Sequence, residues 1–155
     1  MKNFYALNPG EFFVAQELIK QRPDLKLYFP IKDMGVDLLA VGKKNTPVSI
    51  QIKESRTYGR RGFSWHEVKK KKVAQADVFV FVSYVESTKG AKSTFRKDYL
   101  VMPRADLKTL CEKKKLSGDK YRFHFGSKGD KLFETREGRN SHFDVTKYNR
   151  AWNLI

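Results

Sequence analysis

Polar and apolar positions alternate over Gly35-Val36-Asp37-Leu38-Leu39-Ala40-Val41 and again over Val48-Ser49-Ile50-Gln51-Ile52-Lys53, with the polar turn Gly42-Lys43-Lys44-Asn45-Thr46-Pro47 between them. This pattern predicts two strands joined as a hairpin. Period two puts Val48, Ile50 and Ile52 on one face and Ser49, Gln51 and Lys53 on the other, and it allows Asp37 to face the Gln51 side from the neighbouring strand. Upstream, Asn8-Pro9-Gly10 opens a predicted helix to about Gln21, with Asn8 as cap and Pro9 as its first residue. Glu11, Ala15, Leu18 and Ile19 share one stripe of it. A short first strand is expected over Leu27-Tyr28-Phe29-Pro30-Ile31, with Pro30 at its end or edge.

Beyond Ser55 the pattern changes. Arg56-Thr57-Tyr58-Gly59-Arg60-Arg61-Gly62-Phe63 reads as a Gly-punctuated basic loop, and Ser64 as the cap of a helix from Trp65 to about Gln75 that carries Lys69 to Lys72. Asp77 to Tyr84 is nearly all apolar and β-prone, as a central strand covered on both faces would be. A further strand is predicted at Tyr99 to Met102, a helix from about Arg104 to Lys115 after Pro103, and a strand at Tyr121 to Phe125. Gly126 to Asn140 reads as a charged loop and Val145 to Leu154 as a terminal helix. With no internal repeat and no linker, residues 1–155 read as a single domain. The order of elements points to an α/β fold, a mixed central sheet flanked by helices on both sides.

Composition adds a partner to this picture. The 155 residues hold 32 Lys and Arg against 17 Asp and Glu, a formal charge of +15, while 40% are hydrophobic. A folded chain that bears so much self-repulsion is suited to a polyanion, and nucleic acid is a better fit than a membrane surface, for which no basic amphipathic anchor is present. The single cysteine, Cys111, excludes an intrachain disulfide and falls on the Leu107, Leu110, Cys111 stripe of the 104–115 helix, as a buried structural thiol would. Met1-Lys2-Asn3-Phe4-Tyr5 lacks the apolar run of a signal peptide, so a cytoplasmic location is expected. His66, His124 and His142 lack metal-ligand spacing and there are no Cys pairs, which argues against structural zinc.

The candidate chemistry sits on the hairpin. A carboxylate (Asp37), an amide oxygen (Gln51) and an ammonium (Lys53) converging beside a basic surface suit a divalent cation and a phosphodiester. The layout resembles the PD-(D/E)XK, or restriction-endonuclease-like, nuclease superfamily, which includes restriction endonucleases and archaeal Holliday junction resolvases. Its elements are an acid on a first helix (here Glu11), an Asp on the second strand (Asp37) and an acid-x-Lys on the third (Gln51-Ile52-Lys53). Val36 stands where that motif has Pro, and Gln51 where it has an acid. The likeness implies an α-β-β-β-α-β core and a Mg²⁺- or Mn²⁺-dependent DNA endonuclease. Asp37, Gln51, the Ile52 carbonyl and Glu11 would then bind the metal, with Lys53 as the catalytic ammonium. In size and in its Glu11 helix the chain is most similar to junction resolvases, which implies a homodimer.

Each position also has a plainer use. Asp37 can serve turn chemistry, Glu11 can complement a helix dipole, and Gln51 and Lys53 can form the solvated face of a half-exposed strand. DNA contacts are expected from Ser55, Arg56, Tyr58, Arg60, Arg61 and Lys69, where guanidinium groups can grip phosphates and aromatic rings can stack on bases. Phe63 and Trp65 read as core residues. Because Gln51 is neutral, the alternative is a DNA-binding module of the same fold without turnover.

Overall fold

The computed structural model describes residues 7–31, 35–56, 64–89, 92–128, 130–135 and 142–155. The helix α1 (Pro9–Gln21) leads into β1 (Lys26–Tyr28), β2 (Leu38–Val41) and β3 (Pro47–Arg56). Then come β4 (Ser64–Lys69), β5 (Val78–Lys89), β6 (Lys92–Pro103), α2 (Arg104–Glu112), β7 (Lys120–Lys128), β8 (Lys131–Thr135) and β9 (His142–Asp144). A five-stranded sheet has the order β1-β2-β3-β5-β6, and a four-stranded sheet the order β4-β7-β8-β9. Among the described residues only the β3–β5 pairing is parallel, so the first sheet is mixed and the second antiparallel.

The apolar run of β5 is explained by cover on both faces. Val78, Val80 and Val82 join Val14, Ala15 and Leu18 of α1, together with Ile50 and Ile52 of β3. Phe79 and Phe81 point the other way, into a core shared with Leu107, Leu110 and Cys111 of α2 and with Phe123 and Phe125 of β7. Burial pushes the Cys111 thiol up to about 12, as expected of a structural cysteine.

Several expectations are corrected. The second face of the mixed sheet is covered by α2 and a second sheet rather than by helices alone. The helix expected from Trp65 to Gln75 is instead strand β4 followed by a 3₁₀ turn at Lys70–Lys72. The element order is therefore not α-β-β-β-α-β: the crossover between parallel β3 and β5, which a helix ordinarily makes, passes through a strand of the other sheet. Ser64, His66 and Val68 point inward while Trp65, Glu67 and Lys69 face out, a period-two pattern that β7 stabilises by pairing along its whole length. Trp65 is thus on the surface and not in the core. Part of the expected 126–140 loop is β8, and the expected terminal helix is two 3₁₀ turns, Thr146–Tyr148 and Trp152–Leu154, parted by Arg150 at φ 48°. On α1 the inward stripe is Gly10, Val14, Ala15 and Leu18, and Ile19 lies exposed. Among the described residues, no helix is long and apolar enough to cross a membrane.

Candidate active site

Register brings the first pair together. Leu38 stands opposite Ile50 in the β2–β3 ladder, so Asp37, one residue before β2, falls opposite Gln51. The Asp37 N–H donates to the Ile50 carbonyl at 2.9 Å. Its carboxylate Oδ2 accepts from the Ile52 N–H at 2.6 Å and from Gln51 Nε2 at 2.5 Å. The approach depends on Gly35, which is buried at φ 84°, where a side chain would be strained and its Cβ would collide with the side-chain oxygen of Gln75.

Gln51 is only 2% exposed, so the solvated-strand reading does not hold for it. Its amide nitrogen is committed to Asp37, which leaves Oε1 buried with no hydrogen-bond partner. A buried acceptor of this kind costs about 1–3 kcal/mol. Next to it lies a carboxylate already neutralised in part by two donors. Asp37 Oδ2 is satisfied by protein and Gln51 Oε1 is not, and carboxylate and amide oxygens of this kind are the hard donors a small divalent cation takes. Among the described residues, no three His, Cys, Asp or Glu side chains gather as a metal site, so any ion here would depend on the Gln51 amide oxygen and on water or substrate oxygens.

Lys53 follows on the same face of β3, half-buried and in register with Phe81 of β5. Its neighbour across the sheets is His66 of β4. That ring is buried, with Nε2 3.2 Å from Ser64 Oγ and 3.1 Å from Ser83 Oγ, while Ser83 Oγ donates to Ser64 Oγ at 2.6 Å. Its pKa is pushed down to about 3, chiefly by burial; the Lys53 backbone raises it and the Lys53 charge lowers it. A neutral imidazole therefore stands beside the ammonium at neutral pH.

Glu11 occupies the first turn of α1, where its carboxylate accepts from the Asn8 N–H and the Asn8 side-chain amide, each at 3.2 Å. This is the capping use of a helix-terminal acid. The same helix end is pinned to β3 by Glu54, whose Oε2 accepts the Gly10 N–H at 3.0 Å, and a Cβ on Gly10 would press against that same Glu54 side chain. Glu11 is thus carried to the segment of β3 just beyond Lys53. The bonds join Asp37, Gln51 and Ile52 directly and bring Glu11 only to the same strand.

The expected DNA contacts divide. Ser55 is buried and its Oγ accepts the Trp65 N–H at 3.1 Å, tying β3 to β4. Lys69 is exposed at the end of β4 rather than on a helix. Tyr58, Arg60, Arg61 and Phe63 lie outside the described residues, as does the side chain of Arg56. Sequence reasoning missed Glu54, His66, Ser64, Ser83 and Asp77. Asp77 Oδ2 accepts from the Ser49 N–H at 3.0 Å and from Ser49 Oγ at 2.6 Å, and it fixes β5 against the strand that carries Gln51. The signal for Glu54 was the alternation of β3, which aims it at a helix N-terminus. Those for Ser64 and His66 were hidden once β4 was read as helical.

No protein-family model matches the chain, and no curated protein does. Among solved structures it is similar to a bacterial homing endonuclease, I-Ssp6803I, at 16% identity and a TM-score of 0.53, over 97% of this chain and 91% of that one. The chain therefore shares the fold of that structure.

Proposed function

We propose that the chain is a divalent-metal-dependent DNA endonuclease of the PD-(D/E)XK type, with Asp37 and Gln51 at its metal centre. The observation that carries this is the buried Gln51 amide, whose Nε2 bonds Asp37 Oδ2 while its Oε1 has no partner, so that turning the amide over would offer an oxygen to an ion held by Asp37. The similarity to a homing endonuclease supports the reading through the shared fold, and the +15 charge supports a nucleic-acid partner. Mg²⁺ or Mn²⁺, when bound, supplies charge neutralisation at phosphate and a more acidic bound water.

The chain's own residues divide the remaining work. Asp37 contributes the anionic ligand oxygen, Gln51 Oε1 a neutral one, and the Ile52 carbonyl a third. Glu11, on the α1 side of β3, would add negative charge through water, reaching round the strand from the face opposite Gln51. Lys53 orients the attacking water or offsets negative charge building at phosphorus. Neutral His66 beside it adds no competing positive charge at neutral pH. Branched DNA, such as a Holliday junction, is one substrate to try, with a homodimer cutting both strands symmetrically.

Supercoiled plasmid, linear duplex and a four-way junction incubated with Mg²⁺, Mn²⁺ or EDTA provide the test. Wild type is expected to cleave at least one of them only with metal. Asp37→Ala and Lys53→Ala are expected to cut about a thousandfold more slowly while still binding DNA. Equal background cleavage by all three proteins overturns the catalytic reading. A wild type that binds and never cuts identifies a DNA-binding module of the same fold, which the Gln51 Nε2 bond favours by satisfying Asp37 without metal.

A further inference from the structure

We infer that Trp65 is a stacking platform for an unpaired DNA base on the outer face of the second sheet. The endonuclease reading enters this inference only through the identity of the polyanion. Trp65 is 51% exposed on the outer face of β4; a lone exposed ring is ordinary, and what sets this one apart is its surroundings. Its ring centroid lies 3.7 Å from that of His124, its cross-strand partner on β7, so one side of the indole is backed by a second ring. A cross-strand aromatic pair supports the sheet, but a smaller residue would do that without leaving half of a tryptophan in solvent.

The surroundings identify the occupant. The outward pairs that follow along the same two strands are Glu67 with Arg122 and Lys69 with Lys120. Glu67 bonds Lys120 at 2.7 Å and Arg122 at 3.1 Å, which holds both cations in a fixed row on this face. One carboxylate against three cations leaves the row positive, and a positive row beside an exposed ring is the pairing that grips a strand's backbone and a base together. The strand that carries the platform is tied to β3 through its backbone. The Trp65 N–H donates to Ser55 Oγ, two residues beyond Lys53 on β3. The ring itself faces away from Lys53, across β4 from the inward Ser64 and His66, so a base resting on it belongs to a strand that runs over the outer face of the second sheet. Bases in an intact duplex are already stacked, so the platform favours single strands, bulges and branch points over paired DNA.

The experiment is an NMR titration of the full chain in EDTA, so that no cleavage occurs, following the indole N–H signals, with that of Trp65 assigned by Trp65→Phe. Oligo-dT and a bulged duplex are expected to shift the Trp65 signal, and a fully paired duplex of equal length to leave it in place. Trp65→Ala is expected to weaken oligo-dT binding about tenfold, the scale of one lost base stack, and paired-duplex binding less than twofold. Trp65→Phe should retain most of the affinity, and circular dichroism should show each variant folded. A Trp65 signal that stays fixed at saturating oligo-dT overturns the proposal, as does an equal loss on both DNA forms. So does a signal that moves with protein concentration alone, which would assign the ring to a second copy of the chain. A silent Trp65 in a protein that cleaves DNA sinks the platform and spares the nuclease; a responsive Trp65 in a protein that never cleaves does the reverse.

Discussion

Ile50 and Gln51 are sequence neighbours on β3, 0% and 2% exposed, and they face opposite sides of one sheet. Toward α1, Ile50 and Ile52 sit in a dry cluster with Val14, Leu18 and Val80, and the polar residue on that side, Glu54, caps the helix that covers it. Toward β4, Gln51, Lys53 and Ser55 share space with His66, Ser64 and Ser83, and one buried oxygen has no partner. The first face is organised for stability. An orphan polar atom on the first side, Trp152 Nε1, is a donor that no cation takes, whereas Gln51 Oε1 on the second is an acceptor, and that is where a cationic ligand is to be looked for.

Truncating each neighbour breaks the comparison most directly. Ile50→Ala is expected to lower unfolding stability by about 2–5 kcal/mol, through lost burial and a cavity that α1 can only partly fill. Gln51→Met keeps the volume, deletes the orphan oxygen and gives up one bond to Asp37, so its stability is expected to change by no more than about 1 kcal/mol. Urea denaturation in EDTA reads both. A loss of several kcal/mol at Gln51 would mean that the amide is a structural keystone and not a vacant ligand.

His66 sharpens the contrast by a smaller amount. Its folded pKa of about 3 lies below the ordinary histidine value near 6.5, so between those limits the unfolded chain holds a proton that the folded chain does not. Its contribution is fully present above about pH 6.5 and is lost as pH falls toward 3, with about 2 kcal/mol gone by pH 5. His66→Gln is expected to flatten the fall in stability between pH 6.5 and 5 relative to wild type. Identical slopes would show that this ring is solvated rather than locked between the sheets.

The same two faces show what could be read from sequence. Asn8-Pro9-Gly10, the alternation of 48–53 and the apolar run of 78–82 are local signals, and each element they predicted is present. The facing of Asp37 and Gln51 followed from hairpin register, which a short turn fixes. β4 was not legible, because Ser64 followed by a lysine run imitates a capped helix, and the partner that makes it a strand, β7, begins at Lys120. The second sheet, the surface position of Trp65 and the burial of His66 all depend on that distant pairing. Glu11 lies in the first turn of α1 but outside the inward stripe expected to carry it, and its hydrogen bonds to Asn8 belong to capping, which sequence could not separate from metal binding.

The most direct measurement follows the Gln51 side-chain amide by ¹⁵N NMR as Mg²⁺ is added to metal-free protein. In EDTA its N–H₂ pair should be protected and shifted by the bond to Asp37. Millimolar Mg²⁺ is expected to move it saturably in wild type and to leave it unmoved in Asp37→Asn. A Gln51 signal that holds its EDTA position throughout the wild-type titration contradicts a metal centre on this strand.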